Sequence, residues 1–118
     1  MAVNIKEMKE KLAYSCNILA NEGHSDNILG HVSVRIPGQN RILMKPHSFG
    51  FEEIRPQHLI VVDIETGKKV DGKFERHSEV FIHTEIMKAR RDVNCVVHSH
   101  PPYATAFGAL GQKLRPIS

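Results

Sequence analysis

The segment VNCVVHSHPPYATA, residues 93–106, constrains the fold of this 118-residue chain more than any other stretch. Its apolar, β-branched start reads as a buried strand, VNCVVH over 93–98. Two prolines then stop it, because Pro101 and Pro102 cannot donate to a ladder; proline is nonetheless tolerated in the first turn of a helix such as YATAFGAL. In a strand, residues i and i+2 share a face, so His98 and His100 point in one direction with Cα atoms about 6.5–7 Å apart. Imidazoles so placed can converge on one ion. Zinc takes nitrogen at about 2.0–2.1 Å, and a catalytic zinc leaves one position open beyond three protein ligands. The chain carries eight histidines, so the spacing alone leaves open whether this pair binds metal or merely packs.

The remaining elements follow from periodicity and turn chemistry. Ile5, Met8, Leu12, Cys16 and Leu19 recur every three or four residues and Gly23 offers a left-handed cap, which predicts an amphipathic helix over 4–21. HVSVRI alternates, PGQN turns and RILM resumes, predicting strands near 31–36 and 41–44. FEEI reads as one helical turn, HLIVVDI as a buried strand, and ETG turns it back into the short strand KKVD. Ser78 is a good N-cap for a helix over 79–90 with Ile82, Ile86 and Ala89 as its apolar stripe. The order α, hairpin, hairpin, α, β, α indicates an α/β (α+β) domain around a mainly antiparallel sheet, one domain over 1–118.

Composition excludes several classes. With 41% hydrophobic and 25% charged residues, the chain reads as an ordinary globular protein, and no apolar run approaches the ~20 residues of a membrane span. Its net charge of +3 is spread among acids, so neither nucleic acid nor membrane is an expected partner. The amino terminus, MAVNIKEMKEKL, lacks a continuous hydrophobic region, which predicts a cytoplasmic protein. Cys16 and Cys95 are the only cysteines, and their places on a helix and a strand predict two reduced, buried thiols.

Four segments together, GHVSVR, ILMKPHSFGFEEIRPQHLIVVD, HSEVFIHTEI and ARRDVNCVVHSHPPYATA, resemble the class II aldolase/adducin amino-terminal family in order and spacing. That family includes fuculose phosphate aldolase and ribulose phosphate epimerase. The resemblance implies a three-layer αβα sandwich and a fourfold-symmetric tetramer with sites at subunit boundaries. It further implies that His98 and His100 are two of three zinc-ligating histidines and Glu79 the acid/base carboxylate. The cofactor it implies is Zn2+, another divalent transition metal being possible. Breaking a carbon–carbon bond beside a carbonyl leaves electrons on an enolate oxygen, which a Lewis acid can hold while a nearby carboxylate moves the proton. His83 shares the helical face of Glu79 and is expected to pack or to support the site rather than bind metal.

The chain departs from the family pattern where sugar-phosphate members bind phosphate. Gly30-His31 stands for glycine-asparagine, His47-Ser48 for serine-glycine, and His77-Ser78 for paired serines. Imidazoles fill space that small hydroxyls leave open and can change charge near neutral pH, so a carboxylate or aromatic acid fits the expectation for this rebuilt pocket. The third zinc histidine of the family falls beyond residue 118, so the domain is expected to be truncated at its C-terminal part. The reading is a zinc-dependent lyase, aldolase or decarboxylase, acting on a small hydroxy- or keto-acid. The alternatives are a non-catalytic, adducin-like interaction module and a sugar-phosphate epimerase or aldolase.

Overall fold

The computed structural model describes residues 3–117. Helix α1 (Ile5–Asn21) starts where the Asn4 side chain accepts a hydrogen bond from the Glu7 N–H at 3.0 Å. It ends at Gly23, which holds φ +81 while its N–H and that of His24 return to the last turn. The strands are β1 (His31–Arg35), β2 (Arg41–Met44), β3 (Ile60–Asp63), β4 (Lys69–Asp71) and β5 (Cys95–His98). Helices α2 (Val80–Ala89) and α3 (Pro102–Ala109) flank β5 in sequence. Phe51–Glu53 and Pro56–His58 form single 3-10 turns between β2 and β3.

The five strands make one antiparallel sheet in the order β4-β3-β2-β1-β5. Alternation divides its side chains between two apolar layers. Val32, Leu43 and Val61 pack with Leu12, Ala13 and Cys16 of α1 and with Phe51, Ile54 and Leu59 of the 3-10 turns. Ile42, Met44, Ile60, Val62 and Val96 pack with Val80 and Met87 of α2. A helix therefore covers each face, giving the expected αβα layering around an antiparallel sheet. Each fully buried Leu, Ile, Val, Phe or Met contributes about 1.5–3 kcal/mol by leaving water, so both layers hold the sheet. Helix α3 adds nothing to either, since Pro102–Ala109 has no buried residue.

Four expectations are corrected. Helix α2 does not bury the stripe Ile82, Ile86 and Ala89. Val80, His83, Thr84 and Met87 face inward, while Phe81, Ile82 and Ile86 are more than a third exposed. The periodicity is helical either way; the opposing sheet surface decides which face turns in, and at β1 that surface is polar. Ser78 is exposed and caps nothing, because the helix begins a residue later with Glu79 at the cap position and no side-chain cap bond. Strand β5 begins at Cys95, since Val93 closes a turn onto the Arg90 carbonyl at 3.1 Å. Cys95 is exposed where Cys16 is buried. Cys95 and Val97 line an open groove beside Ile18 and Leu19 at the sheet margin, which α1 does not close.

Arg35 ties α2 to the sheet. Its guanidinium donates to the carbonyls of Met87 (2.8 Å), Arg90 (3.2 Å) and Val93 (3.0–3.1 Å). Met87 and Arg90 present acceptors at the C-terminal end of α2, where positive charge is favoured, and Val93 lies in the turn that follows. The opposite end of α2, with Glu79, is thereby set over the first residue of β1. No described helix is long and apolar enough to cross a membrane.

Candidate functional site

On β1, His31, Ser33 and Arg35 point to the α2 side while Val32 and Val34 point to α1. In the antiparallel register His31 lies opposite His98, and their rings stack with centroids 4.7 Å apart. Glu79 arrives from the start of α2, placing Oε2 3.0 Å from His31 Nε2 and 3.8 Å from His98 Nε2. His100 comes from just beyond β5, with Nε2 3.1 Å from Nε2 of His98. The two rings expected to share a face therefore meet, with the candidate carboxylate beside them.

The loop after α1 braces this pair. His24 Nδ1 lies 2.8 Å from Ser99 Oγ, and His100 Nδ1 lies 2.8 Å from Asp26 Oδ2. An ionised carboxylate only accepts, so Nδ1 of His100 carries the proton and its Nε2 presents a bare lone pair toward His98. That is how a carboxylate prepares a metal-ligating histidine. Two nitrogens on one tetrahedral zinc at about 2.0–2.1 Å lie about 3.3 Å apart, close to the observed 3.1 Å. The residues thus fit a divalent metal held by His98 and His100. Potential donor atoms of His31, Glu79 and His98 also lie within 4.8 Å of one another, so further ligand capacity is close at hand.

Lys45 holds the same loop from beneath. It is fully buried, and its Nζ donates to the Gly30 carbonyl at 2.8 Å and the Ile28 carbonyl at 3.3 Å. Burial pushes this amine down to about 8. Gly30 sits at φ +84, and a Cβ there would lie 2.6 Å from the Phe51 ring and 3.3 Å from the His98 carbonyl oxygen. Only glycine permits that approach of loop and ligand strand. The sequence reading missed both Asp26 and Lys45. Their signals were an acid two residues after His24 in HSDN, and a lone lysine closing the apolar run RILMK.

The three replacing histidines do come together. The His77 ring lies 4.6 Å from that of His31 and 5.2 Å from that of His47, whose Nδ1 is 2.6 Å from Ser48 Oγ. His47 and Ser48 are exposed, whereas His31 and His77 are buried. Ser48 adopts φ +72, a left-handed conformation costly for a side-chain-bearing residue and easy for glycine. Charge switching near neutral pH is overturned for the buried members. Burial, with Lys45 next in effect, pushes His77 down to about 3, and burial lowers His31 against the hydrogen bond it donates to Glu79. These two rings are neutral at neutral pH, so they act on a ligand through shape and hydrogen bonding. Glu79 is lowered below the usual glutamate range, chiefly by its hydrogen bond with His31, and is a carboxylate at neutral pH.

A helix-flanked antiparallel sheet with a His-x-His pair and an adjoining glutamate at one end defines a class. The chain belongs to the Class II Aldolase and Adducin N-terminal domain family, whose sequence model matches residues 10–118. Among particular relatives, it is 35% identical over 116 residues to 3,4-dihydroxyphthalate decarboxylase of Arthrobacter keyseri, covering 92% of this chain and 46% of that protein. It is 26% identical over 113 residues to 5-deoxy-D-ribulose 1-phosphate aldolase of Bacillus thuringiensis serovar kurstaki, covering 96% and 52%. The structure matches L-fuculose 1-phosphate aldolase from Glaciozyma antarctica PI12 with a TM-score of 0.84 and 31% identity, over 97% of this chain and 49% of that one. The chain spans about half the length of the curated relatives it matches.

Proposed function

We propose that this chain forms the metal-binding part of a carbon–carbon lyase that decarboxylates a small hydroxy- or keto-acid. The observation that carries the reading is the convergence of His98 and His100 at 3.1 Å with the Glu79 carboxylate 3.8 Å from His98. His98 and His100 hold the divalent metal, with zinc the natural occupant of a nitrogen-rich site and another transition metal compatible with it. When bound, the metal supplies Lewis-acid stabilisation of the charge left on a substrate oxygen once the carbon–carbon bond breaks. Glu79, exposed at its outer side and anchored by His31, moves the proton that the substrate carbon gains or loses. Gly30, His31, His47, Ser48, His77 and Ser78 are the proposed substrate-binding residues. His31 and His77 narrow the volume where the family resemblance places small phosphate-binding residues. This narrowing, and the greater identity to a decarboxylase than to a sugar-phosphate aldolase, support an acid over a phosphorylated sugar.

Aldol cleavage of a sugar phosphate is the second reading, favoured by the fold match to a fuculose phosphate aldolase. Association into an oligomer belongs to the same proposal, with exposed Phe81, Ile82 and Ile86 as the apolar surface that supports it.

The test incubates the metal-loaded protein with 3,4-dihydroxyphthalate, L-fuculose 1-phosphate and 5-deoxy-D-ribulose 1-phosphate, with and without a chelator. Release of CO2 that a chelator abolishes is the expected result. Cleavage of a sugar phosphate alone would establish the second reading, and turnover indifferent to chelation would remove the metal. Glu79→Gln should lower turnover about 10²–10⁴-fold, the worth of a positioned acid or base, while bound metal stays nearly unchanged. Loss of metal in that variant would make Glu79 a ligand instead.

A further inference from the structure

Helix α2 turns two polar residues, His83 and Thr84, into the sheet and leaves Phe81, Ile82 and Ile86 outside. An apolar alternative was thus available within the same helix. His83 is fully buried and has a partner at each ring nitrogen. Its Nδ1 lies 2.6 Å from Ser33 Oγ, and its Nε2 lies 2.6 Å from Nδ1 of His31. His31 Nε2 in turn lies 3.0 Å from Glu79 Oε2. The four groups form an unbroken chain from a buried hydroxyl to an exposed carboxylate.

The carboxylate end, with each ring neutral, fixes the direction of every proton. The Glu79 carboxylate only accepts, so His31 Nε2 donates. A neutral ring has one donor and one acceptor, so His31 Nδ1 accepts and His83 Nε2 donates. His83 Nδ1 then accepts, and the Ser33 hydroxyl donates to it. An imidazolium at His31 would donate from both nitrogens and reverse the far half of the chain. Charging that ring, which is 1% exposed, would place a cation in a nearly dry site. Burial accordingly holds His83 neutral, down to about 3.

We propose that Ser33 and His83 are positioning residues that lock His31 as the Nε2–H tautomer and thereby hold the Glu79 carboxylate over His98. They touch neither substrate nor metal and act through His31. The inference rests on Glu79 as the acid/base, but the tautomers it assigns can be read without any turnover. It also makes His31 and His83 a matched pair.

The experiment is 15N–1H correlation spectroscopy of the imidazoles in 15N-histidine-labelled protein. The expected spectrum shows single Nε2–H tautomers for both His31 and His83, with their ring protons protected from solvent exchange. An Nδ1–H tautomer or a mixture at His83, or an imidazolium at His31, would overturn the proposal whatever the protein catalyses. Addition of cadmium should leave the His31 proton in place; its loss with metal coupling to His31 would make that residue a ligand and end the relay. Three variants then separate positioning from packing. Ser33→Ala should keep His83 as the Nε2–H tautomer, held by His31, and shift the 15N resonance of its Nδ1, which loses its donor, with little change in folding. His83→Gln, which keeps a donor toward His31 and an acceptor toward Ser33, should retain kcat. His83→Phe should lower kcat about 10–100-fold, the range for a group supporting a site from behind, with KM little altered. Equal kcat in the Gln and Phe variants, both folded, would reduce His83 to filler.

Discussion

The two faces of the sheet are buried alike and built differently. Under α1, Val32, Leu43 and Val61 meet Leu12, Ala13, Cys16 and Phe51 in a layer that is apolar apart from the buried Lys45 beside Phe51. Under α2 the layer is apolar at β2, β3 and Val96 of β5; along β1 it becomes Ser33 and His31, with His83, Thr84 and His77 buried on the same side. Dispersion and hydration hold the first face and tolerate changes of condition. Hydrogen bonds between neutral rings hold the end of the second, and they survive only while those rings stay uncharged. The difference shows where this fold has exchanged apolar packing for a site.

Acid should separate the faces most. His77 and His83 sit near 3 in the folded chain against about 6.5 unfolded. Between those values the unfolded chain binds protons that the folded one does not, so stability is full above about pH 6.5 and declines as pH falls toward 3. Two such groups give a slope on the order of 3 kcal/mol per pH unit in that window, enough to unfold a typical domain well above pH 3. Urea denaturation from pH 7.5 to 4.5 measures it. A flat profile would mean that the histidine end is hydrated and not a buried layer.

The dry face is broken by volume instead. Phe51→Ala should cost about 3–5 kcal/mol at every pH, because Phe51 is fully buried and packs in the α1 layer. Its effect on metal binding should be small if the faces are independent, although the ring also abuts Gly30. A large loss of metal affinity in folded Phe51→Ala would show that the α1 layer sets the ligand loop. The smallest of these effects belongs to Asp26→Asn. It leaves both layers intact and removes the charge behind His100, so metal affinity should fall about 10–100-fold with denaturation unchanged. An unaltered affinity would leave Asp26 as a loop brace only.

The same contrast explains what the sequence disclosed. Helix α1 was legible from Ile5, Met8, Leu12, Cys16 and Leu19 because it lies against an apolar surface, where hydrophobic periodicity and burial coincide. The hairpins were legible from PGQN and ETG because turn chemistry is local. The buried side of α2 was not, since a helix carrying both Ile82/Ile86 and His83/Thr84 leaves the choice to the surface it meets, and Ser33 and His31 lie some 50 residues away in sequence. Cys95 escaped for a related reason: alternation along β5 assigns it a side, but not whether a helix reaches that far. At the site, His98 and His100 could be read from strand spacing plus family resemblance. Asp26 and Lys45 act through loop backbone and ring nitrogens that no period encodes.

The central claim is that the polar end of the α2 face is a metal centre built on His98 and His100. Calorimetric titration of metal-free protein with zinc tests it most directly, run on the native sequence and on His100→Ala. The account expects one ion per chain for the native sequence and a loss of that binding in His100→Ala, with the fold of the variant retained. Equal affinity in the two proteins, or no zinc bound by the folded native protein, would contradict it.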